Sequence, residues 1–189
     1  MRTDILDYLE GELYARCHMP SNTFGEGIYG HVASVVKNGW ILAKQYGADK
    51  EVVQIAAWLH DIASITDASL YEMHHIHGAE MARDILSRFD YDEDKLRLVQ
   101  ACIRNHRGSV RLEKNSVEEI CVADADAASH FSSIPSLLYL AYGTRQMGME
   151  EGLQFVRGKL ERSFRKMSPK SQAFYSQTYQ NALEFLTAG

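Results

Sequence analysis

Apolar residues in this chain recur at three- and four-residue spacing almost from end to end, and alternation of period two is nearly absent. That pattern lays an apolar stripe along one side of an α-helix and gives a strand no buried face, so the chain is predicted to be all-α. Boundary signals divide it into about nine helices. The first runs from about Asp4 to Cys17 and ends before a Pro20-Ser21-Asn22 turn. Thr23 to Glu26 has the form of a capping box and opens a helix to about Tyr46, which Gly47 stops. Asp49 caps a third helix through His60. A looser stretch from Ser64 to His75 leads into a helix over His77 to Arg88, and Asp92 caps the next, to about Arg107. Ser116 to Glu119 is a second capping box, starting a helix to about Phe131. Pro135 starts a helix to Met147, Met149 to Met167 forms another, and Ser168-Pro169 opens the last.

Composition narrows the functional classes. Of 189 residues, 46% are apolar, enough to bury a core, which excludes a disordered chain. Lys and Arg number 20 against 25 Asp and Glu, a formal charge of −5. No basic surplus is left to displace the counterions of a nucleic-acid polymer, while a small phosphorylated ligand is still allowed. No apolar run approaches the roughly 20 residues of a membrane span. The first residues lack the apolar core of a leader, so a soluble, cytoplasmic protein is expected. Cys17, Cys102 and Cys121 are far apart and form neither a disulfide framework nor a zinc-thiolate spacing. No glycine-rich phosphate loop and no serine nucleophile elbow is present. One domain over residues 1–189 is expected, with a homodimer as an allowed assembly.

The histidines carry the chemistry. His31, His60, His77 and His106 fall on four different predicted helices, each on the apolar stripe, and Asp61 follows His60 directly. His60 shares its stripe with Val53, Ala56 and Ala57, and His106 shares its own with Val99, Cys102 and Ile103. Asp124 lies in line with Val117, Ile120, Cys121, Ala127, Ala128 and Phe131. Asp126, rotated by about 200° of helix, has the more polar neighbours Glu119, Ser129 and His130. A carboxylate in an apolar stripe must be paired or bound to a cation. Asp124 is therefore expected as the ligand, with Asp126 as the alternative. A single inward histidine is commonly a hydrogen-bonded core residue; four of them with inward carboxylates match the imidazole and carboxylate donors of divalent metals.

The ordered set His31, His60-Asp61 and Asp124 resembles the HD superfamily of metal-dependent phosphohydrolases, whose motif is a His, an adjacent His-Asp pair and a later Asp, all on helices. The strings Ala57-Trp58-Leu59-His60-Asp61-Ile62 and Val122-Ala123-Asp124-Ala125-Asp126 agree with it. So does His74-His75-Ile76-His77-Gly78-Ala79-Glu80, which is similar to the His-x-x-Gly-Ala-Glu start of a family helix. The resemblance covers about residues 24–130, the core of the expected site, and only loosely the helical portion at about 134–189. It implies an all-α HD bundle in which His31, His60, Asp61 and Asp124 hold one divalent ion (Mn, Ni, Zn, Mg or Fe). His77 and His106 fit the positions that complete a second metal site, with Asp61 bridging. His74 and His75 are expected behind the ligands, and Glu80 beside His77.

The implied activity is hydrolysis of a small phosphate ester or nucleotide through a metal-bound hydroxide. Asp61, His77, His106 and Arg107 are the expected catalytic residues, with Arg104 and Lys44 as rival phosphate-neutralising groups. Two departures from the family strings bear on the substrate. Ile62-Ala63-Ser64 stands where many members have Gly with Lys or Asp, and Ala127-Ala128-Ser129 where nucleotide-cleaving relatives have Arg-Leu-Asp. Other functional classes fit the same ligands: an HD-type di-iron oxygenase, or a module that binds a phosphorylated ligand without turnover. The aromatic residues of the C-terminal third, among them Phe155, Phe164, Phe174, Tyr175 and Tyr179, are read as helix packing, with a lid wall as the other reading.

Overall fold

A computed structural model describes residues 1–107 and 113–186. The last residues of the expected C-terminal portion, 187–189, lie outside it. Among the described residues all regular structure is helical: α1 (Thr3–Cys17), α2 (Gly27–Tyr46), α3 (Lys50–Leu59), α4 (Ile62–Thr66), α5 (His74–Leu86), α6 (Glu93–Asn105), α7 (Val117–Ser132), α8 (Ile134–Leu138), α9 (Met149–Lys166) and α10 (Pro169–Phe185). Short 3-10 turns precede and follow α5, and α8 runs on into a π-helical turn, Tyr139–Thr144. No helix of the described residues is long and apolar enough to cross a membrane.

Most helix starts follow their capping signals. Asp49 accepts from the N–H groups of Glu51 and Val52, Asp92 from those of Asp94 and Lys95, Ser116 from Glu119, and Ser168 from Ser171. Gly47 closes α2 in the left-handed region at φ 72°. The expected box at Thr23 does not form. Asn22 organises that turn instead, donating to the carbonyls of Cys17 and Gly25 and accepting from Phe24 N–H, and α2 starts only at Gly27.

The core is organised by α3 and α7. Helix α3 is apolar on nearly every side, with Val52, Val53, Ile55, Ala56, Ala57 and Leu59 fully buried, as befits a helix surrounded by others. It packs against α1, α2, α6 and α7, while α7 touches α2, α3, α6, α8, α9 and α10. Phe131 of α7 meets Phe164, Tyr175 and Tyr179, so most of the C-terminal aromatic residues named above join α9 and α10 to the bundle.

Two local features aim the chain at one place. Helix α3 stops at Leu59, one residue earlier than expected, and the backbone breaks at Asp61 (φ −111°, ψ 9°), turning His60 and Asp61 toward the same space. Gly78 lets α5 press on this break: a Cβ there would meet Ile103 Cγ2 at 3.3 Å and the His60 carbonyl at 3.6 Å. The first turn of α5 is thereby held over the end of α3.

Candidate metal centre

Six side chains from five segments converge at the floor of a cleft of about 670 Å³. His31 comes from α2, His60 and Asp61 from the break after α3, His74 from the start of α5, His106 from the end of α6, and Asp126 from α7. Asp61 stands at the middle. Its Oδ2 lies 3.4 Å from His60 Nε2 and 3.9 Å from His31 Nε2, and its Oδ1 lies 3.3 Å from His74 Nε2 and 3.7 Å from His106 Nε2. Asp126 Oδ1 is 3.4 Å from His31 Nε2. Two groups of potential metal-binding atoms result, His31-His60-Asp126 and Asp61-His74-His106, each with its atoms within 4.8 Å of one another.

The outer ring nitrogens decide what the inner ones offer. His60 Nδ1 lies 2.8 Å from the Ala57 carbonyl, His74 Nδ1 2.7 Å from that of Tyr71, and His106 Nδ1 2.7 Å from that of Ile103. A carbonyl only accepts, so each Nδ1 carries the proton and each Nε2 points inward with its lone pair when the ring is neutral. His31 reaches the same state through Ser129, whose hydroxyl donates to the Asp126 carbonyl at 2.6 Å and accepts from His31 Nδ1 at 2.9 Å. His74 and His106 consequently bring two lone-pair nitrogens within 3.3 Å of each other, and buried His60 Nε2 has no hydrogen-bond partner among the described residues. Acceptors set against acceptors, with orphaned imidazole and only nitrogen and carboxylate donors, fit a divalent cation.

The electrostatics agree. Burial lowers the His31 imidazole to about 4 despite the nearby charges of Asp126 and Asp61. Burial also lowers His74. Burial opposes ionisation of Asp61 and Asp126, but the surrounding histidines outweigh it and hold both carboxyls below their ordinary range. Burial would likewise lower His60, yet adjacent Asp61 raises it to about 9, so a proton occupies that nitrogen where no other cation does.

The structure differs from the sequence expectation at two positions. Asp124 is buried but lies away from the centre: its carboxylate accepts from Ser168 N–H at 3.1 Å and from Ser168 Oγ at 2.5 Å, at the start of α10. Burial raises its carboxyl. The premise that a buried carboxylate needs a partner was sound; the partner is a helix N-terminus 44 residues on, which periodicity alone does not reveal. The facing carboxylate is Asp126. His77 is the second difference. It is 41% exposed, sits 3.3 Å from Glu80 and does not border the cleft, because α5 starts three residues earlier than expected and its first turn presents His74 instead. His31, His60, Asp61 and His106 lie together at this centre.

Arg107 does border the cleft, anchored to the carbonyl and the carboxylate of Glu72. Arg104 and Lys44 are exposed outside it, and Lys44 lies over the ring of Trp40. Sequence reasoning missed Ser129, although it stands three residues after Asp126 on the same helix face, and missed the cations of α9: Lys159, Arg162, Arg165 and Lys166 line the cleft, with Arg145 near them. Phe24, Tyr71 and Phe155 complete its aromatic border.

The family profile described as HD domain matches residues 28–129. Among characterised relatives, ribonuclease Y of Mycoplasma capricolum subsp. capricolum is 29% identical over 107 residues, 57% of this chain and 19% of the relative. Ribonuclease Y of Clostridium kluyveri is 30% identical over the same share. The chain thus matches about a fifth of those proteins' length. Among solved structures, YpgQ of Bacillus subtilis superposes with a TM-score of 0.72 over 98% of this chain and 93% of that one, at 15% identity. A complex of YpgQ with ADP superposes at 0.69, with 14% identity over 96% and 94%. A predicted HD superfamily hydrolase from an uncultured Thermotogales bacterium superposes at 0.65, with 20% identity over 98% and 89%.

Proposed function

The chain belongs to the HD domain family, and from that premise we propose that it is a divalent-metal phosphohydrolase acting on a small phosphate ester or nucleotide. One observation carries the reading: four imidazoles, each with its Nδ1 tied to an acceptor, turn their Nε2 atoms onto the carboxylates of Asp61 and Asp126. His31, His60 and Asp126 would hold one ion and Asp61, His74 and His106 another, with one oxygen of Asp61 directed to each group. A divalent ion bound there makes water acidic enough to act as a nucleophile at neutral pH and polarises a phosphoryl oxygen.

The chain's own residues supply the rest. The carbonyls behind His60, His74 and His106 and the Ser129 hydroxyl behind His31 fix ring orientation and tautomer, so no reorganisation is needed when ligand arrives. Arg107, held by Glu72, stands at the cleft wall where a guanidinium neutralises a phosphoryl oxygen. The complex of the similarly folded YpgQ with ADP supports a nucleotide-sized ligand, and the ribonuclease Y likeness adds phosphodiesters to the substrates to be screened. The cationic cleft favours an anionic, phosphorylated ligand.

The test is metal content and hydrolysis on the same preparations. Wild-type protein is expected to bind one or two divalent ions per chain and to release phosphate or a phosphomonoester from a phosphate-ester and nucleotide panel. Asp61→Ala is expected to lose both properties. Iron with oxygen consumption and no phosphate release would replace this reading with the oxygenase. A bound nucleotide with no product under any metal would leave a binding module.

A further inference from the structure

One wall of the cleft is cationic, and its charges are not matched by the protein. Lys159, Arg162 and Lys166 follow one another on α9 at i, i+3 and i+7, and all three line the cleft above the histidine floor. Residues at this spacing share one helix face, and like charges there repel. Among the described residues none of the three forms an ion pair. The opposite side of the same helix behaves differently: Arg157 is paired with Glu161 at 3.2 Å. The helix therefore pairs Arg157, which does not line the cleft, and leaves its four cleft-lining cations, Lys159, Arg162, Arg165 and Lys166, without an ion pair among the described residues.

The geometry of the wall sets the size of the missing counter-charge. Seven helical residues span roughly 10 Å, so the three cations form a line rather than a point. Two or three phosphoryl groups joined through anhydride oxygens extend along the line.

We propose that Lys159, Arg162 and Lys166 form a second phosphoryl subsite, so that the chain selects ligands with two or more linked phosphoryl groups over monoesters. This rests on the phosphohydrolase reading for the identity of the floor, but the subsite is a property of α9 and is tested separately. Arg162 and Lys166 are exposed and are not part of the histidine centre, so their replacement leaves the fold and the floor intact.

The experiment is calorimetric binding with two ligands that cannot be hydrolysed, methylphosphonate with one phosphoryl group and methylenediphosphonate with two, to protein dialysed free of excess metal. Wild-type protein is expected to prefer the diphosphonate by about tenfold or more, as charge-assisted contacts of this kind contribute. In Arg162→Ala/Lys166→Ala that preference should fall toward unity, with methylphosphonate affinity unchanged; Arg162→Lys/Lys166→Arg should restore it. Equal binding of both ligands by wild type, or a preference that survives the double alanine variant, overturns the subsite. An α9-dependent preference in a chain that hydrolyses no phosphate ester keeps the subsite and removes the hydrolase. Hydrolysis of monoesters with no α9-dependent preference does the reverse.

Discussion

Helix α3 carries a polar cluster at each end, and the two are opposite in character. At its start, buried Glu51 accepts from Arg2 N–H at 2.7 Å, from Tyr91 Oη at 3.1 Å and from Lys95 Nζ at 3.2 Å. Every lone pair in use there meets a donor. At its end, Asp61 lies among four histidine nitrogens, two of which face each other as acceptors, and His60 Nε2 has no partner among the described residues. The first cluster is complete as folded, and the second becomes complete only with a cation. A satisfied polar cluster holds structure together, whereas one short of positive charge is poised to bind.

The largest expected effect breaks the second cluster. Asp61→Ala should lower metal-dependent turnover by about a thousandfold or more, as loss of a metal ligand removes several kcal/mol of transition-state stabilisation. Thermal melting of the metal-free protein should scarcely change. A melting loss as large as that of a Glu51 variant would show that both ends of α3 are structural. The next effect belongs to Glu51. Glu51→Ala removes the acceptor of Arg2 N–H and Tyr91 Oη, while Lys95 keeps Asp49, and should cost about 2–3 kcal/mol, read as a drop in melting temperature, with metal content unaltered. Ser129→Ala frees the His31 ring and should weaken metal binding by about 10- to 100-fold with little change in stability, measured by chelator competition. His77→Ala should leave metal content and turnover at the wild-type level.

Acid titration sharpens the contrast at the structural end. Burial pushes the Glu51 carboxyl up, but the Arg2 N–H and Lys95 outweigh it and hold the group below its ordinary value; for Asp49, burial is likewise outweighed by Lys95 and the α3 N–H groups. Depressed carboxyls contribute stability that is complete above their unfolded values near pH 4.5 and is lost as pH falls through the folded ones. Glu51→Gln should accordingly flatten the fall of melting temperature below about pH 4.5. An unchanged acid limb would remove Glu51 from the account.

How much of this was legible in the sequence differs residue by residue. His31, His60 and His106, like His77, stood out because each lies on an apolar stripe where an unpartnered polar group is costly, and Asp61 because it directly follows His60 in a string that resembles the family motif. The same rule named Asp124, since it weighs burial without knowing the neighbour. Ser168 is 44 residues away, and only packing of α10 on α7 brings its N–H and hydroxyl to that carboxylate. Asp126 was kept only as the alternative because its helix face is polar, which is what a cleft floor requires. His74 was hidden by a misplaced helix start, three residues that rotate a different histidine inward. The α9 cations gave no signal, since an amphipathic helix with Lys and Arg on one side reads as solvated until another wall is placed opposite it.

Local chemistry determined the all-helical class, most of the caps, and a histidine-aspartate set suited to a divalent cation. These depend on spacing and side-chain type, which a linear chain displays. Tertiary structure alone decided which of two nearby carboxylates faces the centre, which histidine completes the second group, and that α9 turns a row of unpaired cations into the cleft. Those choices depend on distances between segments tens of residues apart, and such distances exist only once the helices have packed.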